Sequence, residues 1–196
     1  MTTSYRSFYA IAALLFLSGC AQQPNPNSSA LKGEVRQLNQ RLDYLNHQVS
    51  ALMQQNALNE QSTGGVYLYP AARTGAQVES QIGKLMVSLG PVGTEANGSR
   101  ALLQIRTADN SPLTAFHAIV DWGQVDPSSG KPLLADTLSQ PITVPASLLP
   151  KPQATIELLL SGLAPEQVGY IRLHSITANS ADNPAAHDAI KPRSRQ

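Results

Sequence analysis

Several features of disulfide-bonded, nucleic-acid-binding or catalytic proteins are missing or scarce in this sequence. One cysteine in 196 residues leaves no intrachain disulfide and no cysteine-based metal site. Charged residues make up only 14% and the net charge is +1, so the sequence lacks the basic surface that nucleic-acid phosphates require. Proline (14 residues) and glycine (13 residues) are frequent instead, which is typical of short strands joined by many turns.

The amino terminus contains the parts of a bacterial signal peptide in order. Residues 1–6 carry one positive charge, and residues 8–17 form an apolar segment of about ten residues, too short to span a bilayer. Leu17-Ser18-Gly19-Cys20 follows and resembles the lipobox of bacterial lipoproteins. We predict a signal peptide over residues 1–19 and lipidation of Cys20 on its thiol and its new amine, with acyl chains such as palmitate. The alternative is an ordinary secretory signal followed by a chance cysteine.

The residues after the cysteine predict a tether and a location. In the lipoproteins that this segment resembles, aspartate after the cysteine often causes retention in the inner membrane. Ala21 stands there in this chain, so the resemblance implies an outer-membrane protein that faces the periplasm. Residues 20–30 are polar and interrupted by proline, which predicts a flexible linker. Ser28 or Ser29 is placed to cap a following helix.

Residues 31–60 have the apolar spacing of a coiled coil. Steps of four and three residues define the a and d positions of a heptad, occupied by Leu31, Val35, Leu38, Leu42, Leu45, Val49 and Leu52. This narrow stripe favours a homo-oligomer, either dimer or trimer, formed through residues 31–59. The alternative is a single amphipathic helix that packs on the downstream domain. Asn56 occupies the next a position, where it either fixes the register and oligomer number or marks the fraying end of the coil, and Asn59 occupies the next d position.

After a polar break, the apolar period drops to two. Residues 65–178 contain roughly six to eight short strand candidates separated by turn signals. The clearest candidates begin at Val66, Lys84, Ala101, Phe116, Ile142, Thr155 and Gly169. Ala101, Leu103 and Ile105 share one face of their strand, as do Phe116, Ala118, Val120 and Trp122, and Trp122 is a candidate core aromatic. The predicted fold is mainly β: an antiparallel, Ig-like β-sandwich domain preceded by an N-terminal α-helical coiled coil.

Two resemblances to known lipoproteins cover different parts of the chain. The layout of residues 20–60 is similar to the amino terminus of murein lipoprotein, although this chain ends in Arg195-Gln196 and lacks the terminal lysine that joins that protein to peptidoglycan. Three segments resemble the YajI-like lipoproteins of enteric bacteria: Gly90-Pro91-Val92, Ala96-Asn97-Gly98-Ser99-Arg100 and Val120-Asp121-Trp122-Gly123. The second resemblance implies the architecture and no activity. Residues 179–196 are polar and proline-broken, which predicts a disordered tail.

No pattern of side chains matches a catalytic or metal-binding motif. Phosphate-binding glycine loops, nucleophile elbows and zinc-protease helices are all missing from the sequence. The chain has four histidines: His47, His117, His174 and His187. The first falls on the solvent side of the coil and the last in the tail, whereas the middle two would meet near Asp121 or Arg172 if their strands were neighbours. The other carboxylates of the β-region are scattered: Asp126, Asp136, Glu157 and Glu166.

These observations favour a non-enzymatic role in the cell envelope. We expect no catalytic residue, no metal ion and no cofactor, and the sequence assigns no binding residues. The expected partners are the lipid bilayer through acylated Cys20, further copies of the chain, and an envelope protein or peptidoglycan. Two alternatives remain open: an envelope enzyme or metal-dependent hydrolase that acts on cell-wall or lipid substrates, and a purely mechanical spacer.

Overall fold

The computed structural model describes residues 26–145 and 151–179. The predicted signal peptide, Cys20 and nearly all of the predicted tail therefore lie outside the described residues. The described part contains one α-helix, α1 (Pro26–Gln61), followed by nine strands and three short 3-10 helices between them. The strands are β1 (Gly65–Leu68), β2 (Ala76–Ser80), β3 (Gly83–Leu89), β4 (Gly93–Glu95), β5 (Gly98–Thr107), β6 (Phe116–Gly123), β7 (Leu138–Val144), β8 (Gln153–Ser161) and β9 (Tyr170–Ala178).

The strands form two antiparallel sheets that share one core. The four-stranded sheet has the order β1-β9-β6-β7. In the five-stranded sheet, the order is β2-β3-β5-β8, and β4 pairs with the first residues of β5. Inward side chains of both sheets make up a single apolar cluster, which includes Leu85, Leu103, Leu158, Val120 and Leu173. The mainly β fold predicted from the two-residue period is confirmed.

The alternation in the sequence matches the faces of the longest strands. In β5, Ala101, Leu103 and Ile105 are buried and the residues between them are exposed. Trp122 of β6 lies in the core, where its indole Nε1–H donates a hydrogen bond of 3.2 Å to the backbone oxygen of Ser161. Because these residues belong to different sheets, this bond links the two layers of the sandwich.

Two strands are absent from the sequence-based prediction. Strand β2 has only Val78 as a buried core residue, and β4 is three residues long. A single buried side chain produces no detectable alternation, so the period-two signal fails there. Both strands are held instead by pairing with their neighbours, β2 with β3 and β4 with β5.

Helix α1 is longer than the predicted coil. It begins at Pro26, within the predicted linker, so Ser28 and Ser29 lie inside the helix and not before its first residue. Proline suits the first turn of a helix because the amide hydrogen that it lacks has no partner there. The chain separates into two compact units, and the boundary falls within α1 between Tyr44 and Leu45. None of the described helices is both long enough and apolar enough to cross a membrane.

Candidate functional site

An apolar stripe along α1 is exposed to solvent. Six side chains at successive a and d positions are between 51% and 65% exposed: Leu31, Val35, Leu38, Leu42, Leu45 and Val49. Exposed leucine and valine are ordinary when they occur singly, but six at heptad spacing form a continuous apolar surface that other helices can cover.

The stripe stops where α1 contacts its own β-domain. Leu52, at the next d position, packs against a cluster formed by Ala51, Tyr69, Ala72 and Tyr170. The interpretation of a helix that packs on the downstream domain therefore applies to the turns around residues 51–59. The side chains of the stripe before them are more than half exposed among the described residues.

Two side-chain amides of α1 bond to the free edge of β1. Oδ1 of Asn59 accepts the backbone N–H of Tyr67 at 2.6 Å, and Nδ2 donates to the backbone oxygen of the same residue at 2.9 Å. Oε1 of Gln55 accepts the N–H of Tyr69 at 2.8 Å, and Nε2 lies 3.2 Å from the hydroxyl of Thr74. Asn59 thus supplies the hydrogen bonds that a neighbouring strand would make.

The polar groups on the outer face of the four-stranded sheet form a small network. His174 Nε2 lies 2.9 Å from Asp121 Oδ2, and Oδ1 of Asp121 accepts the hydroxyl of Ser139 at 2.7 Å. Nδ1 of His174 lies 2.9 Å from the hydroxyl of Ser175, whose φ of 53° places it in the left-handed region beside an irregularity in the β6–β9 pairing. The network can orient an imidazole, as acid–base sites do, and it can equally form a structural ion pair.

The remaining predicted polar candidates lie apart from this network. Nδ1 of His117 contacts the hydroxyl of Thr143 at 3.0 Å, so the two strand histidines do not share a site even though β6 and β9 are neighbours. The Arg172 guanidinium stacks over the Tyr67 ring, 5.1 Å from its centroid. In the described part of the chain, no three histidine, cysteine or acidic side chains are grouped closely enough to hold a metal ion.

Tyr69 and Tyr170 lie beneath α1 in the cluster described above. Burial raises the pKa of both phenols above the usual value near 10. Their hydroxyls are used in the fold: Tyr69 donates to the backbone oxygen of Gly130 at 2.9 Å, and the Tyr170 hydroxyl lies 2.7 Å from that of Thr137. Both phenols are therefore structural anchors.

A cleft of about 660 Å³ lies between α1 and the loops of the β-domain. Ser50 and Gln54 line it from the helix, and Asp126 lines it from the loop after β6. Hydroxyl and backbone N–H groups of Ser128 and Ser129 donate to Oδ1 of Asp126 and lower the pKa of that carboxyl to about 2. The sequence indicates a turn at this loop, but no pattern in it shows that helix and loop would enclose a cleft.

The other carboxylates are distributed over the surface. Glu157 lies on β8, 3.7 Å from the guanidinium of Arg100. Glu166 is exposed in a short 3-10 helix before β9, and Asp136 is exposed in another before β7. These three carboxylates therefore belong to separate elements of the described chain.

Comparison with known proteins places the chain in a family. Residues 20–184 match DUF3251, a family described as a protein of unknown function. The chain belongs to the DUF3251 family. It is 36% identical over 176 residues to the uncharacterized lipoprotein YajI of Escherichia coli K12, an alignment that covers 90% of this chain and 97% of that protein. The resemblance to YajI-like lipoproteins is therefore confirmed.

Two solved structures of lipoproteins resemble this fold. The solution NMR structure of Escherichia coli YajI matches with a TM-score of 0.62 and 36% identity, covering 68% of this chain and 80% of that chain. The trimeric lipoprotein SadB of Salmonella enterica matches with a TM-score of 0.50 and 15% identity, covering 89% of this chain and 92% of that chain. At that identity, SadB supports the fold alone.

Proposed function

We propose that this member of the DUF3251 family is a non-enzymatic lipoprotein of the cell envelope. In this proposal, acylated Cys20 anchors it in the outer membrane, facing the periplasm. Helix α1 acts as a spacer and joins copies of the chain, and the β-domain binds an envelope protein or peptidoglycan. The lipobox-like Leu17-Ser18-Gly19-Cys20 and the lipoprotein relatives support the anchor.

The exposed stripe on α1 is the observation that carries the proposal. Its six apolar side chains are each more than half exposed, and burying them between helices would stabilise an oligomer by the hydrophobic effect. Valine at a positions with leucine at d positions favours a parallel dimer, whereas Leu42 at an a position weakens that preference. SadB, which shares the fold, is described as trimeric, so both oligomer numbers are compatible with the proposal.

Sedimentation of the full chain in detergent tests the oligomer. We expect the wild type to sediment as a dimer or trimer, and the double variant Leu38→Asn, Leu42→Asn to sediment as a monomer. The matched control is Gln40→Asn, because Gln40 is exposed and lies off the stripe. A wild type that remains monomeric at tens of micromolar, roughly the range of useful coiled-coil association, would contradict the oligomeric role.

The anchor is tested by cell fractionation. We expect the wild type to fractionate with outer membranes in a density gradient and Cys20→Ser to be released to the soluble fraction, because two or three acyl chains make anchoring effectively permanent. Recovery of the wild type in inner membranes would contradict the proposed location. Membrane association that survives the substitution would contradict the proposed anchor.

A second candidate function, hydrolysis, is favoured by one observation. The Asp121–His174 pair, 2.9 Å apart, orients an imidazole beside the hydroxyl of Ser175. A fluorophosphonate probe tests it: labelling of Ser175 that is lost in His174→Gln would support an enzyme. Equal labelling of the wild type and Ser175→Ala would remove this support.

A further inference from the structure

The free edges of the two sheets are not equally protected. On β1, the amides of Asn59 and Gln55 occupy the outward backbone groups. On β7, Pro141 stands in the middle of the strand and has no amide hydrogen to donate. Strand β2 is only five residues long and lies beside β1. Covered, proline-containing and short edges resist pairing with further strands.

Strand β8 lacks these devices. It is nine residues long, pairs with β5 on one side, and pairs with no other described strand. It contains no proline, and Glu157 is its single charged residue. Of its outward backbone groups, the oxygen of Ser161 at the last position accepts the hydrogen bond from Trp122.

The direction of the backbone groups on β8 follows from its pairing. Thr107 N–H donates to Pro152 O, which fixes the pairs that exchange hydrogen bonds with β5. In an antiparallel ladder such pairs recur at every second residue, so Ala154, Ile156 and Leu158 direct their N–H and C=O groups toward β5. The backbone N–H and C=O groups of the alternate residues point away from β5, toward the free edge; these residues are Thr155, Glu157 and Leu159. Among the described residues, these groups have no hydrogen-bond partner.

We propose that the open edge of β8 is a strand-addition site for an extended segment of a partner protein that carries a basic residue opposite Glu157. Each outward residue offers one donor and one acceptor, which is the pattern that an added antiparallel strand requires. The Glu157 carboxylate is half exposed. Arg100 lies 3.7 Å from it and 4.0 Å from the Glu95 carboxylate, so this single cation balances only one of the two negative charges and a second cation fits beside Glu157. The chemistry of the strand therefore selects a basic partner residue at this position.

The side chains flanking the edge specify the rest of the partner segment. Ile156 is only partly buried at the border of the core, and Leu159 is 52% exposed on the outer face. An added strand would cover Ile156 with an apolar residue on its inner face and Leu159 with an apolar residue on its outer face. The preferred segment thus alternates apolar residues toward the core with a central lysine or arginine on the outer face.

A second copy of this chain is a poorer occupant of the edge. Two β8 strands that pair about a two-fold axis with all three outward residues in register would place Glu157 opposite Glu157. Like charges directly opposite in a sheet are destabilising. A shift by one pair in one direction would bring in Ser161, whose oxygen already accepts the Trp122 hydrogen bond. A shift in the other direction would place the exposed Leu159 opposite the polar Gln153 and leave its apolar side chain without an apolar partner. This inference rests on the proposed function, in which the β-domain is an interaction module. It adds the class of partner: an extended segment with a basic residue.

Fluorescence anisotropy with a synthetic strand tests the site. The probe is the labelled heptapeptide Ser-Val-Ile-Lys-Val-Thr-Ser, titrated with the full chain in detergent. We expect saturable binding and an affinity about tenfold lower for Thr155→Pro, which removes one outward N–H without touching the β5 ladder. The matched control Thr155→Val keeps the N–H and should bind as the wild type does.

Exchanging the charges of Glu157 and the peptide lysine gives a second test, which does not depend on how the Thr155→Pro variant folds. Glu157→Lys should lose affinity for the lysine peptide and gain affinity for the same peptide with glutamate in place of lysine. Absence of saturable binding, or equal affinities for Thr155→Pro and Thr155→Val, would overturn the proposal. Sedimentation of the same variants tests this site separately from the oligomer proposed for α1. A changed oligomer number in Thr155→Pro would mean that β8 pairs copies of the chain, which would overturn the strand-addition site. Unchanged oligomers without peptide binding would overturn the site and leave the proposal for α1 standing.

Discussion

Asn59 has a role that its residue type and heptad position do not reveal. The amide group satisfies both backbone groups of Tyr67 at once, at 2.6 and 2.9 Å. From the sequence alone, a polar residue at a d position predicts only that the apolar seam of the coil ends there. The bond to β1 depends on where the helix lies in three dimensions, and a periodicity carries no such information.

Asn59→Ala is expected to destabilise the chain by about 1–3 kcal/mol, because the N–H and C=O of Tyr67 lose their partners in a partly buried position. Chemical denaturation followed by circular dichroism measures the change. Asn56→Ala is the control, since Asn56 is exposed on the same helix and makes no described side-chain hydrogen bond. Equal destabilisation by the two substitutions would show that the edge bonds contribute nothing specific.

Asp126 is expected to make stability depend on pH in acid. Hydrogen bonds from Ser128 and Ser129 lower its pKa to about 2 in the folded chain, against about 3.9 in the unfolded chain. A lowered folded-state pKa stabilises the fold above the unfolded value, and this contribution is lost as the pH falls through the folded value. The Tm difference between the wild type and Asp126→Asn should therefore be present at pH 6 and shrink between about pH 4 and pH 2. A difference that is constant over this range would contradict the assignment.

At the scale of elements, strand prediction succeeds where each strand buries several alternate residues. Strands β5 and β6 each place at least three inward side chains in the core, and the sequence predicts their faces correctly. Strands β2 and β4 leave no such trace in the sequence. Helix α1 begins before its predicted start for a different reason, because proline interrupts most regular structure and yet suits the first helical turn.

The exposed part of α1 offers a test of helix propensity. Gly33 lies inside the helix, and a methyl group attached to its Cα would have no neighbouring atom within 4 Å, so alanine there meets no clash. Gly33→Ala should stabilise the helix by about 1 kcal/mol and raise the association constant measured by sedimentation. Gly83→Ala provides the contrast, because the φ of +105° at Gly83 disfavours any side chain and should lower Tm. A loss of association in Gly33→Ala would contradict a helical coil in this region.

At the scale of the whole molecule, the β-domain and the last turns of α1 form one folding unit. The described residues from Leu45 onward belong to one compact unit, and the amides of Gln55 and Asn59 complete the edge of β1. The sequence predicts a helix and a separate β-domain, joined by a polar break. It contains no indication of strand order, so it leaves open which edges are free and which one the helix covers.

Two truncations follow from this division. A fragment that starts at Leu45 keeps Ala51, Gln55 and Asn59, and should unfold within a few degrees of the full chain while remaining monomeric. A fragment that starts at residue 63 loses these contacts and exposes Tyr69 and Tyr170. Loss of the buried Gln55 amide, of the partly buried Asn59 amide and of the aromatic packing should cost about 3 kcal/mol or more.

Thermal unfolding and light scattering distinguish the two fragments. We expect the shorter one to have a lower Tm and to aggregate, since the uncovered edge of β1 can then pair with other chains. If the two fragments were equally stable and equally soluble, the amide bonds and the cluster beneath α1 would contribute nothing to the fold. The helix would then serve only the oligomer, and the boundary of the β-domain would fall after α1 and not within it.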